Sequence, residues 1–105
     1  MLKRISTEAT LQAWQAGLAT VVDIRDPQSY AMGHIPGSFH LTDATLPDLL
    51  QQVEEETPVI VVCYHGISSQ GAAQYLLGQG YADVASMDGG FTAWAHQYPD
   101  HIARL

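Results

Sequence analysis

The 105-residue sequence has little positive charge, a single cysteine and no long hydrophobic run. Four basic residues against eleven acidic ones give a formal net charge of −7. Binding to nucleic acid or to an anionic membrane surface needs clustered Lys and Arg, so neither partner is expected. One cysteine excludes an intrachain disulfide, and no group of Cys and His has zinc-finger spacing, so no metal is expected.

The N-terminus carries no recognisable targeting signal. Lys3 and Arg4 resemble the start of a signal peptide, but the stretch after them is polar and includes Glu8 and Gln12. The longest apolar run, residues 59–63, is far too short to span a membrane. Secreted domains of this size usually contain paired cysteines, so we expect a cytoplasmic protein that is mature as written.

Short apolar runs alternate with segments of helical periodicity. Length and composition indicate one globular domain, with 47% hydrophobic and 14% charged residues. Strands are predicted over residues 20–24, 58–62 and 82–87, with a short edge strand at 38–41. Strands that alternate with helices indicate βα units and a parallel sheet, which makes the fold class α/β.

Helices are predicted between these strands. Ser6 or Thr7 is expected to cap the first, Thr45 the second, and Ser68 or Ser69 to begin the third. Ala72, Tyr75 and Leu76 are expected to share one face of the third helix. A last short helix is predicted over residues 91–98, before Pro99.

In an open α/β sheet, ligands bind at the carboxyl ends of the strands. Three segments of the sequence follow predicted strands in this way. They are residues 23–25, residues 63–69 and residues 88–90. Any catalytic or binding residues are expected in these segments.

Cys63 has two interpretations. Free cysteine is among the most buried residue types, so a lone cysteine is most often a small core residue. Here it ends the most apolar strand and is followed by a short loop containing Gly66 and then by a helix. Backbone N–H groups in such a loop converge on one point, and the positive end of the helix adds to their field. Both effects favour the thiolate, so we interpret Cys63 as a nucleophile.

The residues after Cys63 limit what it attacks. Cysteine phosphatases have an arginine six positions after the cysteine, because a phosphoryl dianion needs a bidentate guanidinium. Here that position is Ser69, and no Arg or Lys occurs between Arg25 and Arg104. Phosphatase and arsenate reductase chemistry are therefore disfavoured, and a smaller anion held by backbone N–H groups fits better. His65 is either a nearby imidazolium or a solvated loop residue.

Three blocks of the sequence, in order, resemble the rhodaneses, which are thiosulfate sulfurtransferases, and in particular the short bacterial GlpE type. The first covers residues 22–37 and includes Asp23-Ile24-Arg25-Asp26-Pro27 and Gly33-His34-Ile35-Pro36-Gly37. The second is the loop Cys63-Tyr64-His65-Gly66-Ile67-Ser68 with the helix after it. The third is Gly80-Tyr81 followed by Met87-Asp88-Gly89-Gly90-Phe91-Thr92-Ala93-Trp94.

The resemblance implies a rhodanese-like fold, in which a central parallel sheet of about five strands is flanked by helices on both faces. It implies a single rhodanese domain over residues 15–103, within a chain that is one domain. It also implies that Cys63 is catalytic and forms a persulfide. The implied substrate-binding loop comprises Tyr64, His65, Gly66, Ile67, Ser68 and Ser69.

The activity implied is transfer of the sulfane sulfur of thiosulfate, through the Cys63 persulfide, with release of sulfite. The acceptor is cyanide in vitro, or a thiol or dithiol such as thioredoxin, and no cofactor is needed. Two other functions stay open. One is a persulfide carrier that serves protein partners; the other is a non-catalytic rhodanese-like binding module, which the intact Cys63 disfavours.

Other residues of the matching blocks have supporting interpretations. Asp23 and Arg25 are expected to brace the loop as an ion pair, although an ordinary strand-end pair explains them equally well. His34 is expected to bond to backbone in a turn rather than to act as a base. Ile67 is bulky and apolar where related loops often have a small or polar residue, so it narrows the mouth of the site or packs against an acceptor protein.

Overall fold

A parallel sheet forms the centre of the computed structural model, which describes residues 2–105. Its five strands are β1 (Lys3–Ile5), β2 (Thr20–Asp23), β3 (Phe39–His40), β4 (Val59–Val62) and β5 (Val84–Met87). Their spatial order is β1-β5-β4-β2-β3, and every neighbouring pair is parallel. The carboxyl ends of all strands therefore lie along one edge of the sheet.

Helices cover both faces of the sheet. They are α1 (Thr7–Gln15), α2 (Pro27–Met32), α3 (Leu46–Gln52), α4 (Ser68–Gly78) and α5 (Gly90–Gln97). Leu49 of α3 and Leu76 of α4 are buried in one core cluster, whereas Trp94 of α5 packs with the partly buried Trp14 of α1 in the other. The predicted α/β class and two-sided arrangement are confirmed. None of the helices in residues 2–105 has both the length and the apolar character needed to cross a membrane.

The central strand β4 explains the most apolar run of the sequence. All four of its residues are buried. Val59 and Val61 face the α3–α4 side, whereas Ile60 and Val62 face the α1–α5 side. Because side chains alternate along a strand and both faces are covered, every position is apolar. Burial of each such side chain contributes about 1.5–3 kcal/mol, so β4 is a firm base for the residue that follows it.

The sequence analysis did not predict two elements, strand β1 and helix α2. Strand β1 contains Lys3 and Arg4, whose side chains are exposed, and it pairs with β5 at the edge of the sheet. Helix α2 has only six residues, too few to show helical periodicity. Its start is nevertheless marked, since the Asp26 side chain accepts a hydrogen bond from the Ser29 N–H and Pro27 occupies the first turn.

Helix details were predicted with mixed success. Ser6 caps α1 by accepting a hydrogen bond from the Ala9 N–H at 3.0 Å, and α4 begins at Ser68 as expected. Thr45 precedes α3 but does not cap it, because its hydroxyl donates to the His40 carbonyl instead. On the apolar face predicted for α4, Leu76 is buried, whereas the Tyr75 side chain is 51% exposed.

Candidate active site

Cys63 lies directly after β4, at the carboxyl edge of the sheet, and is 2% exposed. The loop that follows turns at Gly66, whose φ of 86° is in the left-handed region that glycine adopts most easily. This turn aims the Gly66 N–H at the sulfur, with 3.1 Å between N and Sγ. A short loop between a buried strand and a helix thus brings a backbone donor to the cysteine.

Ser69, in the first turn of α4, provides a second contact to the sulfur. Its Oγ is 3.1 Å from Cys63 Sγ, and the residue is fully buried. Burial raises the pKa of the Cys63 thiol, but hydrogen bonds from the Ser69 hydroxyl and from the backbone N–H groups of Ser69, Gly66 and His65 outweigh it. The pKa is therefore lower than that of a free thiol, which favours the nucleophilic thiolate.

Helix α5 binds two carbonyl groups at the start of the loop. The Phe91 N–H donates to the Cys63 carbonyl at 2.8 Å, and the Thr92 N–H donates to the Tyr64 carbonyl at 3.1 Å. The N-terminus of α5 would otherwise leave these N–H groups without partners. The Gln70 side-chain amide donates to the Gly66 carbonyl at 2.9 Å, so carbonyl groups of this segment are held by the two helices while the Gly66 N–H points to the sulfur.

Asp23 and Arg25 form the predicted ion pair, and both are buried. The guanidinium donates to both carboxylate oxygens of Asp23, with the shortest distance 2.8 Å, and to the Gly33 carbonyl at 2.6 Å. Its carbon also lies 4.1 Å from the centre of the Phe91 ring. Arg25 therefore ties the ends of β2 and α2 to the start of α5, with Nε and Nη2 of its guanidinium bonded to protein groups.

The remaining loop side chains point outward. Tyr64, His65, Ile67 and Ser68 are exposed, Ile67 to 75%. The Tyr64 hydroxyl hydrogen-bonds to Asp26 and to Ser29, which fastens the loop to α2. Of the predicted loop residues, the structure thus brings Gly66 and Ser69 to Cys63 through identified hydrogen bonds, whereas the His65 side chain lies at the surface.

An open groove of about 550 Å³ borders the loop. Its lining includes Arg25 and Asp26, which contact Tyr64, and Tyr75 of α4. The groove is largely apolar, with the acidic side chains Asp26 and Asp43 in its lining. Its lining residues include neither Cys63 nor residues 64–69, so the groove adjoins the loop through Arg25 and Asp26.

His34 bonds to backbone, as predicted. Its Nδ1 lies 2.6 Å from the Tyr30 carbonyl oxygen, its ring stacks on Tyr30, and it is 5% exposed. A second histidine, His40, stacks on the same tyrosine. These contacts give His34 a packing role in the turn after α2.

One residue near the site was missed in the sequence. Ser86 of β5 is fully buried, and its Oγ lies 2.7 Å from Ser69 Oγ. Nothing in the sequence marks this serine, because its position depends on how β5 lies next to β4. The register of those strands places Ser86 opposite Val61, two residues before Cys63.

Comparisons with known proteins identify the family and the fold of the chain. The sequence model of the rhodanese-like domain matches residues 6–97. The reduced CoADR-RHD protein of Bacillus anthracis has a similar structure over 97% of this chain, with 25% identity and a TM-score of 0.82, although the match covers only 18% of that chain.

Two smaller proteins are also similar. A rhodanese-like domain protein of Staphylococcus aureus is 29% identical, with a TM-score of 0.77, and the match covers 89% of this chain and 91% of that one. A Rhodopseudomonas palustris protein described as a possible tyrosine phosphatase is 28% identical, with a TM-score of 0.76, over 91% of this chain and 81% of that one.

Proposed function

Since the chain belongs to the rhodanese-like domain family, we propose that it is a sulfurtransferase that carries sulfur on Cys63 and takes it from thiosulfate. The observation that carries the proposal is the environment of the sulfur. Cys63 is the single cysteine, and it accepts a backbone hydrogen bond from Gly66 and lies within hydrogen-bond distance of Ser69. These groups stabilise negative charge on sulfur without any cation.

The first half-reaction forms the persulfide. A lone pair of the Cys63 thiolate attacks the outer sulfur of thiosulfate, and the S–S bond of thiosulfate breaks. Sulfite leaves with the bonding electrons, and Cys63 retains the transferred sulfur. The Gly66, His65 and Ser69 N–H groups hold the Cys63 sulfur as a thiolate, which increases the fraction of the protein that is ready to attack. No cofactor is needed for this displacement.

The second half-reaction restores the thiolate. A nucleophile, cyanide in vitro or a thiol or dithiol such as thioredoxin in the cell, attacks the terminal sulfur of the persulfide. The Cys63 sulfur leaves as a thiolate, stabilised by the same donors. Two displacements through a covalent intermediate give ping-pong kinetics. The chemistry needs a free thiol, which suits the reducing cytoplasm.

Mass spectrometry after thiosulfate treatment tests the proposal. The intact protein should gain about 32 Da on Cys63, the mass of one sulfur in a reversible persulfide. Cyanide or a dithiol should remove that mass, and the Cys63→Ser variant should show no change. A thiol that resists both thiosulfate and iodoacetamide would instead support a non-catalytic binding module.

The chemistry of the loop disfavours phosphatase activity. Arg25 lies near the loop, with its guanidinium carbon 5.8 Å from the centre of the Tyr64 ring, but this guanidinium is bound to Asp23 and Gly33. Ser69 occupies the position where a phosphate-clamping arginine would stand. Aryl phosphate hydrolysis should therefore not exceed that of Cys63→Ser. Cys63-dependent hydrolysis at ordinary enzyme rates would overturn the assignment to sulfur chemistry.

A persulfide carrier for protein acceptors is a second candidate, favoured by the exposed apolar Ile67 and the adjoining groove. Replacing Ile67 by serine should weaken transfer to a protein thiol such as thioredoxin by about tenfold or more in kcat/KM, since burying this side chain contributes about 1.5–3 kcal/mol. Transfer to cyanide should be unchanged. Leu18→Ser is the matched control, because Leu18 is similarly exposed but lies before β2, at the opposite edge of the sheet.

A further inference from the structure

Two buried hydroxyl groups form a chain that leads from the Cys63 sulfur into the sheet. Ser69 Oγ is 3.1 Å from Cys63 Sγ, and Ser86 Oγ is 2.7 Å from Ser69 Oγ. Ser69 and Ser86 have no exposed surface. Ser86 comes two residues after Val84 in β5, so both side chains lie on the same face of the sheet. This is the face that α4 covers.

The number of protons on this chain determines its direction. Each serine hydroxyl has one proton to donate. Within residues 2–105, the Ser86 side chain makes no hydrogen bond besides the one to Ser69. With a thiolate at Cys63, Ser86 donates to Ser69, Ser69 donates to the sulfur, and both protons are used.

With a protonated thiol the same chain is less favourable. If the S–H group donates to Ser69 Oγ, the Ser69 proton turns toward Ser86, and the Ser86 proton is left without an acceptor among the described residues. A buried donor without a partner is costly. If Ser69 instead continues to donate to the neutral sulfur, it bonds to a weak acceptor. Either arrangement is worse than the one formed with the thiolate.

We infer that Ser86 is a positioning residue: its hydroxyl donates to Ser69 and thereby holds the Ser69 proton toward the Cys63 sulfur, which stabilises that sulfur as an anion. Ser86 does not touch the reacting atom and acts only through Ser69. The inference rests on the proposed function for its purpose, because the thiolate attacks in the first half-reaction and leaves in the second. Its effect on the thiol, however, is measurable without any substrate.

The rate at which iodoacetamide alkylates the single cysteine, measured as a function of pH, reports the fraction of Cys63 that is thiolate. Near neutral pH, Ser69→Ala should react about tenfold more slowly and Ser86→Ala about threefold more slowly, as expected when a hydrogen bond to a charged group is lost or weakened. The midpoint of each rate profile should move to higher pH. Well above the midpoint, the variants should react as fast as the wild type or slightly faster, since a more basic thiolate is more nucleophilic.

The double variant tests whether Ser86 acts through Ser69. If it does, the profile of the Ser69→Ala, Ser86→Ala double variant should match that of Ser69→Ala alone. If the alkylation rate of the double variant fell by the product of the two single effects, Ser86 would act independently of Ser69. That result would overturn the inference. A lower plateau at high pH in Ser86→Ala would also overturn it, because that result indicates a collapsed loop and not a change in protonation.

The substitutions at Ser69 and Ser86 replace none of the other titratable or charged groups near the loop. They are Tyr64 and His65 in the loop, Asp23 at the end of β2, Arg25 and Asp26 after it, Asp88 after β5, and His96 in the last turn of α5. Asp23 is paired with Arg25, and Asp88 with Arg4. Helix α4 carries no ionisable residue except the exposed Tyr75. A shifted profile in the serine variants therefore arises from the hydroxyl chain.

Two controls separate the hydroxyl chain from general damage. Ser38 is also buried, and its hydroxyl has no partner in residues 2–105, so Ser38→Ala should leave the alkylation profile unchanged. Ser86→Thr keeps the hydroxyl and should restore the wild-type midpoint. A Ser86→Ala profile that coincides with the wild type would overturn the inference. If the profiles shift as expected but thiosulfate adds no mass to Cys63, the hydroxyl chain stands and the proposed function fails.

Discussion

At the scale of single residues, the donors on the Cys63 sulfur are groups that most substitutions leave in place. The N–H groups of Gly66 and His65 belong to the backbone, and the His65 imidazole lies at the surface. Reactivity at this site therefore depends more on the path of the loop than on the identity of its exposed side chains.

Replacing His65 by alanine tests this dependence. The substitution keeps the backbone N–H that helps lower the pKa of Cys63. We expect kcat/KM for thiosulfate to fall by about tenfold or less, as for the loss of one partial charge contact. Steady-state assays measure kcat/KM of His65→Ala, and the Cys63→Ser variant in the same assays shows the size of a complete loss of activity. A loss as large as that of Cys63→Ser would show that the imidazole is essential.

The lowered pKa of Cys63 also couples protonation to folding. Unfolding returns the thiol to its ordinary pKa of about 8.5, which is higher than in the folded state. The folded state therefore loses its proton first as pH rises, and stability gained from the thiolate appears above the folded-state pKa. It is fully present above about pH 8.5 and is lost as pH falls through the folded-state pKa.

Urea unfolding of the wild type and of Cys63→Ala at several pH values measures this coupling. The free energy of unfolding of the wild type, relative to the variant, should grow with pH over that window and then level off. A difference that is constant or that shrinks with rising pH would mean that the folded protein does not favour the thiolate.

At the scale of elements, the start of α5 positions the loop. Gly90 has a φ of 63°, and a Cβ at this position would overlap the carbonyl group of Tyr64 and the backbone nitrogen of His65. The chain can come this close only with glycine, and the closeness lets α5 bind the loop carbonyls.

Gly90→Ala should displace the loop and destabilise the protein by more than about 2 kcal/mol, from left-handed backbone strain together with steric overlap. Iodoacetamide alkylation of Cys63 near neutral pH should slow in parallel. Gly71→Ala is the control, since Gly71 lies in α4 with open space around it. That change should stabilise the protein by about 0.5–1 kcal/mol. Equal effects of the two substitutions would contradict the account of α5.

The elements that could be predicted from the sequence are those whose own residues determine them. Strand β4 is apolar on both faces, and the predicted run at 58–62 differs from it only by Pro58. Strand β1 was missed because its stability comes from pairing with β5 and not from its exposed Lys3 and Arg4. Helix α2 was missed, although Asp26-Pro27 is a recognisable helix start.

The same distinction applies to the site. Cys63 and its loop are contiguous in sequence, so strand, loop and helix order predicted their proximity. The ion pair of Asp23 and Arg25 was predicted for the same reason. Ser86 comes from a separate strand, and its approach to Ser69 depends on the packing of α4 against β5, which no local pattern encodes.

At the scale of the whole molecule, the net charge of −7 opposes the proposed small substrate. Thiosulfate is a dianion, and the acidic side chains Asp26, Asp43 and Asp88 lie around the carboxyl edge of the sheet. The backbone donors act only at short range, so they do not offset repulsion during approach.

Raising ionic strength should therefore increase kcat/KM for thiosulfate. Between about 10 mM and about 150 mM salt the screening length falls from about 30 Å to about 8 Å, and we expect an increase of about two- to fivefold. Alkylation by uncharged iodoacetamide should change little over the same range. A decrease in kcat/KM with salt would indicate net attraction and a cationic group not identified in the site.

The dependence on main-chain donors has an evolutionary consequence. His65, Ile67 and Ser68 project into solvent while the peptide groups of the loop hold the sulfur. The residues that make Cys63 nucleophilic are therefore different from those that a partner would contact. A combinatorial library randomised at these three positions, with Cys63, Tyr64, Gly66 and Ser69 kept, should yield many reactive members with altered partner preference. Descendants of such a domain could therefore change their partners through few substitutions while keeping the reactive cysteine.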